Sequence, residues 1–457
     1  MVILLILLTV NFVTFYFVGY GVSEYIVYSS SIMFGLLFIA FAKNRFTVFK
    51  AIDTKINVLV LFTIFYFILF YLPYLTYSFG LSDIYYSPFF SHTFVEHSNK
   101  AIILSNIGYL SFLLGREILP NKSENLSPEK QRDYSFFVTS VIYIFFSLIL
   151  INLLATLPKM IQGAYSGSDV GSSTENGLYF LLNHFSLSVA AIFIAKKALG
   201  HKISTLLMIS ILVVLFWCMV LLVLGDRNTF FIHGIVLLGG YFTFCRRISY
   251  VGVAATVFVG IALYGVIEQS RKLEERSFSS IASSISDSED SKSSFFEGSL
   301  NNTTISLRAS ISYLEKTDES FQGKFKAIGL LGVIPLVRGM IVDPNDPFTN
   351  SAEVNTTEIL GANATWSVGT NIVSDSYLDF GVYGVVILLF IVGLFTKFVE
   401  NGVRQNHGDL QYIVIYLFSL GLISELPRYA FSFPIRNLVW LFLLFFIYKK
   451  LFKVTRK

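Results

Sequence analysis

The stretch Ile203-Ser-Thr-Leu-Leu-Met-Ile-Ser-Ile-Leu-Val-Val-Leu-Phe-Trp-Cys-Met-Val-Leu-Leu-Val-Leu224 runs into Gly225-Asp226-Arg227-Asn228-Thr229 and at once into a second apolar run, 230–245. A helix of the first run's length crosses a hydrocarbon layer of about 30 Å. The short turn then leaves the second run no course but back alongside the first. Lipid offers backbone groups no hydrogen bonds, so an uninterrupted apolar run reads as a helix rather than as an open strand. Asp226 and Arg227 are thereby held at the mouth of the membrane.

The same pattern recurs from end to end. The chain is 54% hydrophobic and 14% charged, with a mean hydropathy of +0.66, which makes the bilayer its solvent. Runs of spanning length fall near 2–19, 25–42, 56–78, 100–115, 135–157, 178–195, 203–224, 230–245, 248–267, 370–398, 409–424 and 435–449. The fold class is therefore all-α, a polytopic integral membrane protein with about 12 transmembrane helices. The first run lacks a basic leader and a small-residue cleavage site, so it reads as a retained helix. Lys and Arg follow every even-numbered run: Lys43 and Arg45, Arg116 and Lys122, Lys196 and Lys197, Arg246 and Arg247, Lys397 and Arg404, Lys449 and Lys450. Basic connections stay on the cytoplasmic side, which puts both termini there.

One connection is long, and it divides the chain. Residues 1–267 form an N-terminal bundle of about nine helices, 268–369 a large external loop, and 370–457 the C-terminal transmembrane helices. The loop opens with a Ser-rich stretch, Ser277–Ser294, of low complexity and mobile character. Thr304–Leu314 reads as a helix, and Lys326–Met340 is too short to span but apolar enough to lie on the membrane.

Cys218 and Cys245 lie in or at the end of apolar runs, which argues against a disulfide or thiolate chemistry. No nucleotide-binding loop, dinucleotide fingerprint, serine elbow or metal-ligand spacing occurs, so no metal and no cofactor are implied. The net charge of +4 gives no sign of a nucleic-acid partner. What remains is a set of charges at the outer membrane boundary. Arg227 is joined there by Arg271, Arg308, Arg338 and Arg428; guanidinium groups match phosphate and carboxylate and never lose their charge. Asp226 either caps the next helix or orients Arg227, and Arg227 is either a snorkelling anchor or an anion ligand. Glu425 and Arg428, three apart, share a helical face, and Pro427 and Pro434 bend the connection. Asn371, Asp375 and Asp379 are four apart on one helical face, where carboxylates are costly unless paired or facing a wet cavity. His184 and His233 lie inside runs and read as packing residues, while His92 and His97 lie outside the spans near Glu96.

Four segments carry a resemblance. Gly225-Asp226-Arg227, Glu268-Gln-Ser-Arg-Lys272 and the segment from Trp366 through Asp375-Ser376-Tyr377 to Gly384 resemble the O-antigen polysaccharide polymerase (Wzy) family, as does Asn99–Gly115. The family often has Glu before Tyr where this chain has Asp375-Ser376-Tyr377, and Arg directly after Pro where this chain has Pro335-Leu-Val-Arg338. The resemblance implies a metal-independent glycosyltransferase of lipopolysaccharide biosynthesis in the bacterial inner membrane. It would join oligosaccharide repeat units carried on undecaprenyl pyrophosphate at the periplasmic face. The substrate partner is that lipid-linked oligosaccharide in membrane lipid, and a chain-length regulator protein is implied beside it. Arg227, Arg271 and Arg428 then face the pyrophosphate, with Arg308 and Arg338 as further substrate ligands. Asp375 is the first choice of general base and Glu425 the second, Asp226 orients Arg227, and Trp366 and Tyr377 stack on sugar rings. The same plan would also suit an O-antigen ligase. A flippase or other transporter would instead carry its charges mid-span and have short loops.

Overall fold

The computed structural model describes residues 1–43, 56–80, 94–122, 134–155, 173–224, 226–249, 251–253, 255–256, 259–260, 294–333, 342, 346–364, 367–406 and 408–451. All regular structure among them is helical. Helices α1 (Val2–Phe17), α2 (Glu24–Lys43), α3 (Val58–Phe70) and α4 (Leu72–Ser78) lead to α5 (Ser98–Ile118), α6 (Ser135–Ala155), α7 (Ser173–Ala198) and α8 (Thr205–Leu224). After the charged turn, α9 (Arg227–Gly234) passes through a π-helical turn, Ile235–Gly239, into α10 (Gly240–Phe244). The remaining helices are α11 (Ser294–Thr317), α12 (Lys324–Leu331), α13 (Ser351–Leu360), α14 (Ile372–Gln405), α15 (Leu410–Ser424) and α16 (Ser432–Leu451).

Seven helices among the described residues are long and apolar enough to cross a membrane, and the pair α3–α4, bent by 45°, makes an eighth. The bend falls where Pro73 enters the first turn of α4 and removes a backbone donor. The runs 2–17, 228–244 and 410–424 are apolar but shorter. Hydropathy counted them as full spans; the 16 residues of α1 rise only about 24 Å. The expected span 248–267 lies largely outside the described residues, as does the Ser-rich stretch before Ser294. Thr304–Leu314 is helical as expected, within the longer α11.

Two glycines decide how the bundle closes. A Cβ on Gly115 of α5 would stand 2.1 Å from the Phe390 carbonyl oxygen, and one on Gly393 of α14 would stand 2.0 Å from that of Phe112. The two backbones are in direct contact, the way small residues let membrane helices approach. One end of this pair is tied by Arg116 Nη2 to Glu400 Oε2 at 2.8 Å, both buried. Asn401 donates to the Pro120 carbonyl at 3.0 Å beside it. The basic exits after α5 and α14 therefore share one end of the molecule.

The opposite end carries a polar layer of α11, α12 and α13 on the first two turns of α14. Ser310 Oγ donates to Asn355 Oδ1 at 2.7 Å, and Asn355 Nδ2 donates to Ser374 Oγ at 3.0 Å. Asn371 caps α14 by accepting from Ser374 N at 2.8 Å, and Asn350 with Glu353 forms a reciprocal capping box on α13, satisfying donors that would otherwise be orphaned. The helix α14 then breaks. Phe380 leaves helical geometry, and Gly381 takes φ 61 and ψ −152, a conformation that side chains with a Cβ avoid. The short segment 372–379 is thus separated from the long apolar remainder.

Candidate functional site

The site lies where α15 ends. Pro427 cannot continue the helix, and the chain tightens into a 3₁₀ turn, Leu426–Arg428, closed by Arg428 N on the Glu425 carbonyl at 3.0 Å. This places Glu425 inward, only 4% exposed, with Tyr429 Oη donating to its Oε2 at 3.1 Å. Burial pushes the Glu425 carboxyl up to about 8; Arg428 and the Tyr429 hydrogen bond pull against that rise, and Asp226 adds to it. A carboxyl removed from water ionises late because the charged form loses solvation. Beside it, the Ser424 hydroxyl is buried with no hydrogen-bond partner among the described residues. Tyr429 is itself held by stacking on Phe433, with ring centroids 4.1 Å apart.

Asp226 reaches the same place from the α8–α9 turn. Its carboxylate accepts from Thr229 N at 3.2 Å, from Thr229 Oγ1 at 2.7 Å and from Tyr179 Oη at 2.6 Å. It is the N-cap of α9, which satisfies the capping alternative, and its charge is also felt at Glu425. Arg227 is the first residue of α9, so its Cα is fixed at the edge of the cluster, but its side chain lies outside the described residues. Below the turn, Ser186 Oγ stands 2.6 Å from His233 Nε2, and His233 Nδ1 stands 2.8 Å from the Thr229 carbonyl oxygen. Packing was the expectation for this histidine, and its ring is buried with both nitrogens engaged.

Asp375 sits in a different environment. Ser351 donates to its Oδ1 at 2.6 Å, while Phe431 N and Lys326 Nζ approach its Oδ2 at 2.9 and 2.8 Å. Asp379, one turn on, accepts from Phe325 N and Lys326 N, both at 3.1 Å, and pairs with Lys326 Nζ at 2.9 Å. The four-residue spacing does put both carboxylates on one face, and that face grips α12. All three side chains are at least nine-tenths buried. Lys326, Ser351 and Tyr429 carry these contacts and were not singled out from the sequence. The signal for Lys326 was present: a lysine within Phe325-Lys326-Ala-Ile-Gly-Leu-Leu331, in a chain that also offers two aspartates one turn apart.

Other expected residues are buried elsewhere in the fold or lie outside the described residues. Arg308 on α11 is 1% exposed; its Nη1 reaches Ser98 Oγ at 3.4 Å, and its Nε has no partner among the described residues. Tyr377 packs edge-on against Phe15, with centroids 6.0 Å apart. His97 is buried in a turn before α5, within 3.5 Å of Glu96 and 3.4 Å of Glu315. Arg271, Arg338, Trp366 and His92 lie outside the described residues. No group of three or more His, Cys, Asp or Glu among the described residues is arranged to hold a metal ion.

An apolar groove of about 230 Å³ begins at the same turn. Leu426 and Phe431 line it beside Pro434, Phe442, Ile391 and Phe395, between α14 and α16. From Pro434 to Phe442 the wall extends about 12 Å at the helical rise. A charged turn whose Leu426 also lines an apolar groove suits a molecule with a polar head and a hydrocarbon tail. No curated protein and no solved structure matches the chain. The family model for the O-antigen polysaccharide polymerase Wzy matches residues 1–455, and the chain, a multi-helix membrane protein with this polar cluster at one end, belongs to that family.

Proposed function

We propose that this protein polymerises oligosaccharide repeat units carried on undecaprenyl pyrophosphate, working at the periplasmic face of the bacterial inner membrane with both termini cytoplasmic. The observation that carries the reading is the Glu425–Arg428 turn, where a carboxyl poised near neutrality, a guanidinium and the mouth of an apolar groove meet. The acceptor sugar's hydroxyl oxygen attacks the anomeric carbon of the growing chain. The bond from that carbon to the pyrophosphate oxygen breaks, and the leaving pyrophosphate takes the electron pair. The hydroxyl proton passes to Glu425 and then to solvent. A base whose pKa lies near the working pH balances availability against strength.

In this reading Arg428 and Arg227 face the departing pyrophosphate, with Arg271 and Arg338 as further anion ligands from the loop. Preorganised charge counts most in a partly dry site, because nothing must reorganise as the transition state forms. Arg308, buried without a carboxylate partner among the described residues, is a further anion ligand, and Trp366 and Tyr377 remain sugar contacts. The Ser424 hydroxyl is added to the acceptor's hydrogen-bond partners. Asp226 orients the Arg227 turn through the cap it makes. The geometry favours Glu425 over Asp375 for the base, since Asp375 already receives two neutral donors and an ammonium. The groove between α14 and α16 takes the polyprenyl tail. A chain-length regulator is the protein partner of such an enzyme.

The test uses purified protein in lipid nanodiscs with a lipid-linked repeat unit as the only substrate. A ladder of products with release of undecaprenyl pyrophosphate is expected, lost in Glu425→Gln and Arg428→Ala at equal folded protein. Transfer to a lipid A core acceptor without any ladder would make the protein a ligase instead.

A further inference from the structure

The Lys326–Asp375–Asp379 cluster is an expensive way to hold a helix. Taking one ammonium and two carboxylates out of water is costly, and well-packed apolar residues often do as well for stability. Such clusters are better at fixing one arrangement against its neighbours. Here the arrangement leads to the site. Asp375 Oδ2 receives both Lys326 Nζ and Phe431 N, so the lysine and the turn share one oxygen. Phe431 is three residues past Arg428, and between them Tyr429 is extended at φ −122, ψ 166. That stretch has no helical ladder to locate it. A second contact acts on the next residue, for a Cβ on Gly329 of α12 would stand 2.5 Å from Ser432 Cβ.

We propose that Lys326, acting through Asp375, is a positioning residue that sets where the Glu425–Arg428 turn sits, with α12 seated on Ser432 as the second fixed point. The inference rests on the polymerase reading for its kinetic consequence but not for its structural one. Lys326 touches no substrate. It holds the oxygen that holds Phe431, and the turn is thereby suspended between the end of α15 and this clamp. A segment of the chain far from the α15 turn in sequence thus determines the geometry of the reacting groups.

The experiment compares wild type, Lys326→Met, Lys326→Arg and Gly329→Ala as full-length protein in nanodiscs, with Lys316→Ala as a control on an exposed ion pair. Displacing the turn by an ångström lowers kcat about 10²-fold in Lys326→Met, with KM for the lipid-linked unit unchanged. Lys326→Arg restores most of the rate, and Gly329→Ala shows the same split although no charge has changed. Amide exchange across Arg428–Phe431 accelerates in Lys326→Met and Gly329→Ala but not in Lys326→Arg. An unchanged kcat in Gly329→Ala, a rise in KM alone, or losses that track folded protein equally in Lys326→Met and Lys326→Arg would each overturn the proposal. Should Lys326→Met not fold, Gly329→Ala and Lys326→Arg still decide the matter. If wild type itself makes no polymer, the functional reading fails, and unaltered amide exchange in the variants is then the result that refutes the clamp.

Discussion

Two acidic clusters meet the same connection, the chain from Glu425 to Phe431, and they are built on opposite terms. Around Asp375 and Asp379 every carboxylate oxygen has a donor, and an ammonium sits between them. Around Glu425 there is one tyrosine hydroxyl, an arginine, and a second acid whose charge works against ionisation. The first arrangement holds its charges still. The second leaves a proton free to come and go. Satisfied buried charges are structural until shown otherwise, and a buried titratable group with few partners is the better candidate for chemistry.

The widest separation of the two clusters comes from their amides. Glu425→Gln removes the proton acceptor and should lower turnover by about 10²–10⁴-fold, with folded yield preserved, as measured by product release per folded molecule. Asp375→Asn or Asp379→Asn leaves Lys326 buried with an incomplete partner, a change that costs about 3–5 kcal/mol. It should appear first as a lower thermal midpoint and yield. The reverse pattern would dissolve the distinction between the clusters.

Stability against pH sharpens it. The Glu425 carboxyl is raised in the folded protein to about 8 from an ordinary 4.5, so the neutral form is what folding favours. Its contribution is fully present below the ordinary value and is lost as pH rises through about 8. Wild type should therefore lose thermal stability relative to Glu425→Gln as pH rises from about 4.5 to about 8, with no further loss above. A constant difference across that window would mean that the carboxyl is not held neutral.

Smaller effects mark the edges of the comparison. Gly393→Ala must push apart the touching backbones of α5 and α14, an overpacking that costs about 1–3 kcal/mol and is read from thermal unfolding in nanodiscs. Lys316→Ala breaks an ion pair with Glu358 whose lysine is 62% exposed, and should change stability by no more than about 1 kcal/mol.

Much of the helical plan was legible because apolar runs and their basic exits are local properties of the sequence. Among the described residues fewer helices than the expected runs reach full spanning length. The runs 2–17 and 410–424 are apolar but shorter, and a bend at Pro73 divides another, features of length and backbone geometry that hydropathy alone does not register. The site was half legible. Glu425, Arg428 and Asp226 could be named because charge at a membrane boundary is conspicuous, and the structure brings these three together. Their relation to Asp375 was hidden, because the period of four that aligns Asp375 with Asp379 says nothing about what faces them. Lys326 arrives from a separate helix, and Phe431 contributes only a backbone N–H, which every residue but proline carries.

The pH–rate profile of polymerisation by purified protein on the lipid-linked repeat unit tests most directly whether Glu425 carries the chemistry. A rate that climbs through neutral pH with an apparent pKa near 8, and loses that limb in Glu425→Gln but keeps it in Asp375→Asn, is the expected result. A profile unchanged by Glu425→Gln, or a limb that disappears with Asp375→Asn instead, would contradict it.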